Sequence, residues 1–468
     1  MPRADEYPLV SWDSPTDPAN PVNFSTRYRW TLILLASSIT FMTSISSSML
    51  APAVPAILAE YDSTNSTLGS FLITVYLLGL GVGPLFWGPL SEIYGRLPVQ
   101  HVGDVGFLAF TILCAESKSL AMLAIARLLQ GTLASVPMVN GGALIADMVK
   151  QEERGLALSI YTMGILIAPS VGPVAGGFLA TAKGWRWVFW LISIILGALS
   201  VMAAFTWRET YAPVILRHKA KKLRKISGIR FRGEHDVSLT STARFKQGIG
   251  RVFQMLALSP IILMLSIYMG LIYSYFYLLL TTLAPVYEAL YGWKPNMTGL
   301  AFLGMGVGFG ICQLIYAGIS DRILKSMAQK SGEMKPEYRL LPTIAGGLLV
   351  PVALFWYGWA AQARIHWIVP IIGTSLLAFG HNLIFMGIQS YIVDAFTLHA
   401  ASGLSANAVT RSVMASVLPL AAPKMYDTLG LGWGNSLLGF LALAMVPVPW
   451  LFVIHGERLR TWNSGRFM

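Results

Sequence analysis

Residues 68–99 read LGSFLITVYLLGLGVGPLFWGPLSEIYGRLPV. The portion through about Leu90 carries no charged side chain. At about 1.5 Å per residue it is long enough, as a helix, to cross a bilayer's hydrocarbon. It then enters a short polar turn, Ser91-Glu92-Ile93-Tyr94-Gly95-Arg96, before a second apolar run begins near Pro98. Runs of this kind recur twelve times along the chain. We place them near 30–51, 68–90, 98–115, 119–146, 156–180 and 186–206, then near 258–282, 297–319, 340–360, 366–391, 402–423 and 433–454. The pattern predicts an all-α polytopic membrane protein.

Composition agrees. Hydrophobic residues make up 55% of the chain and charged residues 12%, against about 25% charged in a soluble domain. A large soluble enzyme seldom repeats such runs twelve times with its charge confined to alternate gaps. The net charge of +12 raises the question of nucleic acid. Its distribution answers it: residues 208–257 hold twelve Arg/Lys and three Asp/Glu, as expected of a loop beside an anionic inner leaflet. No nucleic-acid partner is expected; membrane lipid is. Cys114 and Cys312 lie in apolar runs of opposite halves and offer neither a disulfide framework nor a metal site. Residues 1–26 lack the apolar core of a cleavable signal, so the first span is expected to direct insertion.

Cationic residues also orient the chain. With both termini inside, the inner segments hold 26 of the 34 Arg/Lys and the outer connections six: Lys118, Lys183, Arg186, Lys294, Arg364 and Lys424. Arg127 and Arg411 remain within spans. This asymmetry predicts cytoplasmic termini. Asn65 and Asn296 then head N-glycosylation patterns in outer loops. The chain divides into a tail at 1–29, a six-span bundle at 30–207, a basic linker at 208–257, a second bundle at 258–454 and a tail at 455–468. Faint repeats support two halves: Gly318-Ile319-Ser320-Asp321-Arg322 follows span eight as the polar turn follows span two. Asp147 and Asp394 end spans four and ten. Parallel repeats of this kind suit alternating access.

Several residues stand out chemically. Gly88 and Gly95 permit tight backbone passage at the exit of span two. Glu92 and Arg96 are four apart and could pair if the turn is helical. Together the four read as a conformational latch, or as an ordinary charged turn. Arg127 lies about eight residues, or about 12 Å, into span four. A charge there should face a cavity or a partner. It reads as a substrate or proton-coupling residue, or as half of an internal ion pair; Arg411, at similar depth in span eleven, reads first as structural. Span five carries Gly164, Pro169, Gly172, Pro173, Gly176 and Gly177, which allow close helix approach and bending. Proton coupling needs a group that changes protonation. Asp104 in span three and His381 in span ten qualify, although Asp104 could simply pair with Arg127 and His381 could be a neutral core residue. No Gly-rich phosphate loop supports ATP-driven transport, and no nucleophile–base set supports a hydrolase.

The chain resembles the major facilitator superfamily, and within it the fungal twelve-span drug:proton antiporters. The resemblance rests on GPLSEIYGRLPV at 88–99, Arg127-Leu128-Leu129-Gln130-Gly131, and the span-five signature from Gly164 through Gly177. It extends through GWRWVFW at 184–190, ETYAPVIL at 209–216, HWIVP at 366–370, YIVDAF at 391–396 and Asn407 through Arg411. It covers roughly residues 24–460. It implies the major facilitator fold of two six-helix bundles, with spans one, four, seven and ten lining a central cavity. Ser44, Arg127, Tyr273 and Asn382 are the substrate contacts this arrangement suggests. The span-five signature implies export of small organic compounds, such as drugs or fungal secondary metabolites, by a monomer that needs no cofactor beyond a proton gradient. A plasma-membrane location is implied first and a vacuolar one second. A proton-coupled importer of an organic nutrient and a non-transporting receptor or scaffold are the rival functions.

Overall fold

The structure is a computed structural model that describes residues 9–150, 153–227, 231–233, 241–333, 335–396 and 399–461. Apart from a two-residue parallel pairing of Leu9–Val10 with Arg232–Gly233, its regular structure is helical. Span one runs Thr26–Glu60, with a 3-10 turn at Ala51–Ala53. Spans two to six are Ser66–Tyr94, Arg96–Ala115, Leu120–Met148, Arg154–Lys183 and Arg186–Thr206. Spans seven to ten are Pro260–Tyr291, Pro295–Tyr316, Pro336–Gln362 and Ile368–Phe396. The last apolar helical stretch, Ala400–Glu457, is two spans. Gly430 breaks it, at φ 71° and ψ 173°, a backbone conformation that glycine adopts without a Cβ penalty. Spans eleven and twelve lie on either side of that turn.

Span two shows how the sequence sets its limits. The Asn65 side chain accepts a hydrogen bond from the Leu68 amide (3.2 Å) and so caps the helix start. Pro84 and Pro89 lie inside the helix, tolerated where neighbouring spans surround the freed carbonyls. The helix stops at Gly95, whose φ of 104° admits few other residues. Several helices outrun their predicted ends. Span seven continues past the expected 282, through Pro285, to a left-handed cap at Gly292. The helix of span eight continues past 319 to Ser331. Hydropathy marks where hydrocarbon ends, whereas backbone hydrogen bonds can persist beyond it.

Spans one to six pack chiefly on one another, as do seven to twelve, forming the two bundles. Glycines set the closest approaches. A Cβ on Gly79 would strike the Leu128 carbonyl, and one on Gly131 the Tyr76 carbonyl, so spans two and four meet backbone to backbone. The outer surface is apolar: Val105, Ile194, Val201, Leu314 and Trp433 are all exposed. Such a surface belongs against lipid.

The basic stretch between the bundles contains two helices, Ala212–Ser227 and Ser241–Leu258. Val214, Leu216 and Ala220 of the first are buried, and Arg217 donates to the Ile93 carbonyl (3.2 Å) at the exit of span two. The second brings Phe245 against Phe86 (ring centroids 6.3 Å) and Gly248 against Pro89. The chain before span one also docks here. Lys219 donates to the Asp13 carboxylate (2.6 Å) and to the Ser11 carbonyl (3.1 Å). The Ala19 and Asp13 amides hold the nearby Asp17 carboxyl below its ordinary value. The linker helices thus define one face of the molecule, called the linker face below.

Candidate functional site

A cavity of about 690 Å³ lies between the bundles. Span five supplies Leu158, Thr162, Ile165, Leu166 and Pro169, and span eight supplies Phe309 and Tyr316. Tyr273 and Phe276 come from span seven, and His381, Phe385 and Gln389 from span ten. Span eleven adds Leu404 and Arg411. Arg339 and Asp394, which lie at the linker-face ends of spans nine and ten, also line it. The cavity therefore extends from mid-span toward the linker face.

Span five explains why it narrows at the other end. A Cβ on Gly172 would meet Ser48 Oγ and the Ile45 carbonyl of span one; one on Gly176 would strike the Met49 carbonyl. On its other side, Gly177 faces the Pro295 and Asn296 carbonyls at the start of span eight, at 3.2 and 3.3 Å from an ideal Cβ. Gly299 closes on the Pro173 carbonyl in turn. These contacts draw spans one, five and eight together away from the linker face. Toward the linker face the spacing relaxes: Gly164 would meet only Phe41, at an ordinary 3.5 Å. Pro169 reaches the cavity wall at the boundary between the two regimes.

The deep end is an aromatic cage. His381 sits 5.6 Å from the ring centroids of Tyr273 and Phe276, 5.5 Å from Phe309 and 6.3 Å from Phe385. Neither imidazole nitrogen has a hydrogen-bond partner among the described residues. The Arg411 guanidinium lies 5.0 Å from the Tyr273 ring and 5.1 Å from Phe385, where aromatic faces attract a cation. Nearer the linker face, the Tyr316 hydroxyl donates to Ser390 Oγ (3.2 Å), and Arg339 Nε donates to Asp394 Oδ2 (2.9 Å). The wall can thus offer flat apolar surfaces, hydroxyls, the Arg339–Asp394 pair and the Arg411 cation. It presents no nucleophile–base arrangement.

Tyr273 and His381 are therefore on the wall. Arg127 is elsewhere. It is fully buried within the first bundle, and its guanidinium donates to the Ser46 carbonyl (2.9 Å), Gln130 Oε1 (2.9 Å), Ser46 Oγ (3.3 Å), and the Ser47 and Leu72 carbonyls (both 3.4 Å). Tyr76 covers one face at 4.4 Å. The expected carboxylate partner, Asp104, instead accepts from Gln100 Nε2 (2.8 Å), and Gln100 Oε1 in turn accepts from Asn140 (3.3 Å). Asp104 lies off the cavity wall. Asn382 also turns away, donating to the Phe309 carbonyl (3.5 Å) and Gln313 Oε1 (3.4 Å) of span eight. Ser44 Oγ is buried without a partner among the described residues and is not on this wall.

The latch region is built differently from the expectation. Gly88 lies within the span-two helix with open space where a Cβ would stand; only Gly95 requires glycine. Glu92 is exposed, and Arg96 turns to Asp147 at the end of span four (3.4 Å) and to Ser91 Oγ (2.6 Å). The helix break at Gly95 removes the register that would have joined Glu92 to Arg96. A different carboxylate, Glu209, accepts from the Arg96 and Leu97 amides (3.0 and 3.1 Å) at the start of span three, where the helix end favours negative charge. Asp147 had been noted only as a repeat position, and Glu209 only within the 209–216 segment. Neither sequence spacing nor periodicity joins residues 113 apart.

The two glycosylation patterns differ in setting. Asn65 is exposed but its side chain caps span two. Asn296 Oδ1 is buried without a partner among the described residues, and the Thr298 hydroxyl donates to the Pro295 carbonyl (2.9 Å). Among the described residues no group of three His, Cys, Asp or Glu could hold a metal ion.

Residues 36–419 match the family model described as Major Facilitator Superfamily. The chain is 45% identical over 467 residues to the MFS-type transporter tndD of Aspergillus flavipes, covering 98% of this chain and 87% of that protein. It is 42% identical to the efflux pump radE of Floropilus chiversii, covering 97% and 85%. Its fold matches that of the xylose transporter XylE from E. coli in a partially occluded inward open conformation, with a TM-score of 0.68, 14% identity, and coverage of 92% and 98%. The chain belongs to the major facilitator superfamily and is a secondary membrane transporter of that family.

Proposed function

We propose that this transporter exports small amphipathic organic compounds by alternating access, with proton entry supplying the bias. The observation that carries the reading is the cavity between the bundles, lined by aromatic side chains and extending toward the linker face. Substrate enters there, rests against the His381 cage and leaves when the glycine contacts of spans one, five and eight part. Arg and Lys enrichment on the linker face favours cytoplasmic termini, which makes this an inward-facing state. The name of the radE efflux pump and the span-five glycine pattern favour export. The plasma membrane is the natural location for that task.

Tyr273 is the aromatic substrate contact in this reading. His381 is the proton carrier, as the titratable ring at the deep end of the cavity. Arg127 holds spans one, two and four in register, and Asp147, Arg96 and Glu209 form the latch. Proton-coupled uptake is the second reading, because the fold also matches a D-xylose-proton symporter (TM-score 0.69, 15% identity) and alternating access is reversible.

Sealed vesicles containing purified protein separate these readings. A panel of organic compounds is offered with and without a proton gradient. Uphill movement against the direction of proton flow is expected. Movement together with protons would establish uptake, and gradient-independent equilibration would remove proton coupling altogether.

A further inference from the structure

We propose that Arg411 is the anion-binding group of the cavity, and that the preferred cargo is an amphipathic organic acid: one carboxylate on a flat apolar body. The inference rests on the transport reading above and adds the chemistry of the cargo to it.

The argument begins with charge balance. Besides the titratable His381 ring, the cavity wall carries three ionic side chains: Arg339, Asp394 and Arg411. Arg339 and Asp394 neutralise each other at 2.9 Å. Arg411 has no ion pair or hydrogen bond among the described residues, and its Nε is buried without an acceptor. A guanidinium stays protonated under all ordinary conditions and has five donors to satisfy. Inside a bilayer such a group marks a pathway or a ligand by default.

Geometry then narrows the ligand. Tyr273 and Phe385 take up aromatic contacts around the guanidinium, which supply attraction but accept no strong hydrogen bond. What is missing is an acceptor with two oxygens, and the guanidinium fork matches a carboxylate. Phe276, Phe309 and His381 line the same cavity and pack on one another, surfaces suited to a planar apolar body. A polycation finds little here, because Asp394, the sole carboxylate on this wall, is already paired. Arg127 supplies the internal contrast. That cation is fully buried where Arg411 is half-buried, and five acceptor contacts complete its shell, so it has no need of a ligand.

Three matched probes test the proposal: 2-naphthylacetate, 2-(2-naphthyl)ethanol and 2-(2-naphthyl)ethylammonium, which share a ring system and differ in charge. Binding to the purified full-length protein is measured by equilibrium dialysis, with protein-free micelles as the blank. The acid is expected to bind at least about tenfold tighter than the alcohol, the scale of a charge-assisted hydrogen bond. Arg411→Gln should lower the acid's affinity to that of the alcohol. Arg411→Lys should keep a reduced preference, since an ammonium has charge but no fork. Should a variant fail to elute as a single folded species, the wild-type series still decides. Equal or tighter binding of the alcohol or the ammonium overturns the anion subsite and leaves the transport reading standing. An acid preference that survives both substitutions overturns it as well, by placing the anion elsewhere. If none of the three binds saturably, the subsite and the use of this cavity for flat organic cargo fall together.

Discussion

Arg127 and Arg411 look alike in the chain and differ in the fold. Each is a lone cation within an apolar span, one in each half. In the first half, the Ser46 and Ser47 carbonyls of span one and the Leu72 carbonyl of span two face Arg127, and Gln130 adds its own oxygen. In the second half, span eleven presents Arg411 to a cavity whose nearest surfaces are rings. Position within an apolar span therefore does not set the surroundings of an intramembrane charge: Arg127 is fully buried and Arg411 half-buried. The acceptors packed around each one differ as well.

The largest expected effect breaks this pair apart. Arg127→Ala removes the donor shared by the Ser46, Ser47, Leu72 and Gln130 oxygens, each buried. Orphaned buried acceptors cost about 1–3 kcal/mol apiece, so a loss of roughly 3–5 kcal/mol follows for the group after local relaxation. Arg411→Ala orphans no acceptor among the described residues and should stay within about 1 kcal/mol of the parent. Thermal unfolding of both variants in the same detergent checks the contrast. Equal losses would mean that the two cations play one role.

Span five offers the next comparison, along a single helix. Gly176→Ala places a methyl group on the Met49 carbonyl, whereas Gly164→Ala meets only an ordinary contact with Phe41. The first should force spans one and five apart and cost about 1–3 kcal/mol as overpacking; the second should be neutral or stabilising by a few tenths of a kcal/mol through helix propensity. Cross-linking yield between cysteines placed on spans one and five, together with transport rate in vesicles, reads the difference. Loss of transport in both variants would show that the whole glycine series, and not its tightly packed end alone, governs the cycle.

What was legible in advance follows the same physics. The spans were readable because hydrocarbon imposes length and apolarity on every one of them; Gly88 and Gly95 read alike, and only the fold shows that Gly95 alone of the two has a positive φ. Tyr273 and His381 could be singled out because polar rings and titratable groups stand out within apolar runs. Asn382 was misplaced by a single position relative to His381, a turn of about 100° around the helix, which hydropathy cannot resolve when both flanks are apolar. The ranking of Arg127 above Arg411 failed to anticipate their surroundings for a related reason. Carbonyl acceptors belong to the backbone, which every sequence has, so only the packed helices reveal where they point.

The ion pairs at the linker face repeat the asymmetry on a smaller scale. Arg96–Asp147 has side chains only 10% and 17% exposed, while Arg339–Asp394 is 18% and 37% exposed and borders the cavity. Asp147→Asn strips charge from the more enclosed pair and should cost about 2–3 kcal/mol, somewhat below the range for a fully buried pair. Asp394→Asn should cost about 1 kcal/mol or less in stability, as exposed pairs do. Unfolding midpoints measured in parallel test the ordering, and a reversal would move the principal latch to the second half.

Glu92 and Glu209 give the smallest effect and the most direct test of how the latch is wired. Glu92 follows the sequence logic of a partner four residues before Arg96, yet it is exposed and has no ion pair or hydrogen bond among the described residues. Glu209 comes from the far end of span six and receives two backbone amides at the start of span three. Glu92→Gln should change stability by less than about 0.5 kcal/mol, as surface substitutions do, and leave transport at the parental rate. Glu209→Gln keeps one amide acceptor but loses the charge at a helix start, worth about 0.3–1 kcal/mol, and should slow the cycle through a looser Gly95 turn. Sealed-vesicle rates for the two variants therefore diverge if the latch is closed by a residue more than a hundred positions away. If Glu92→Gln is the slower of the two, the contact that matters forms only in the opposite access state, when the turn after span two has come round to bring Glu92 against a partner.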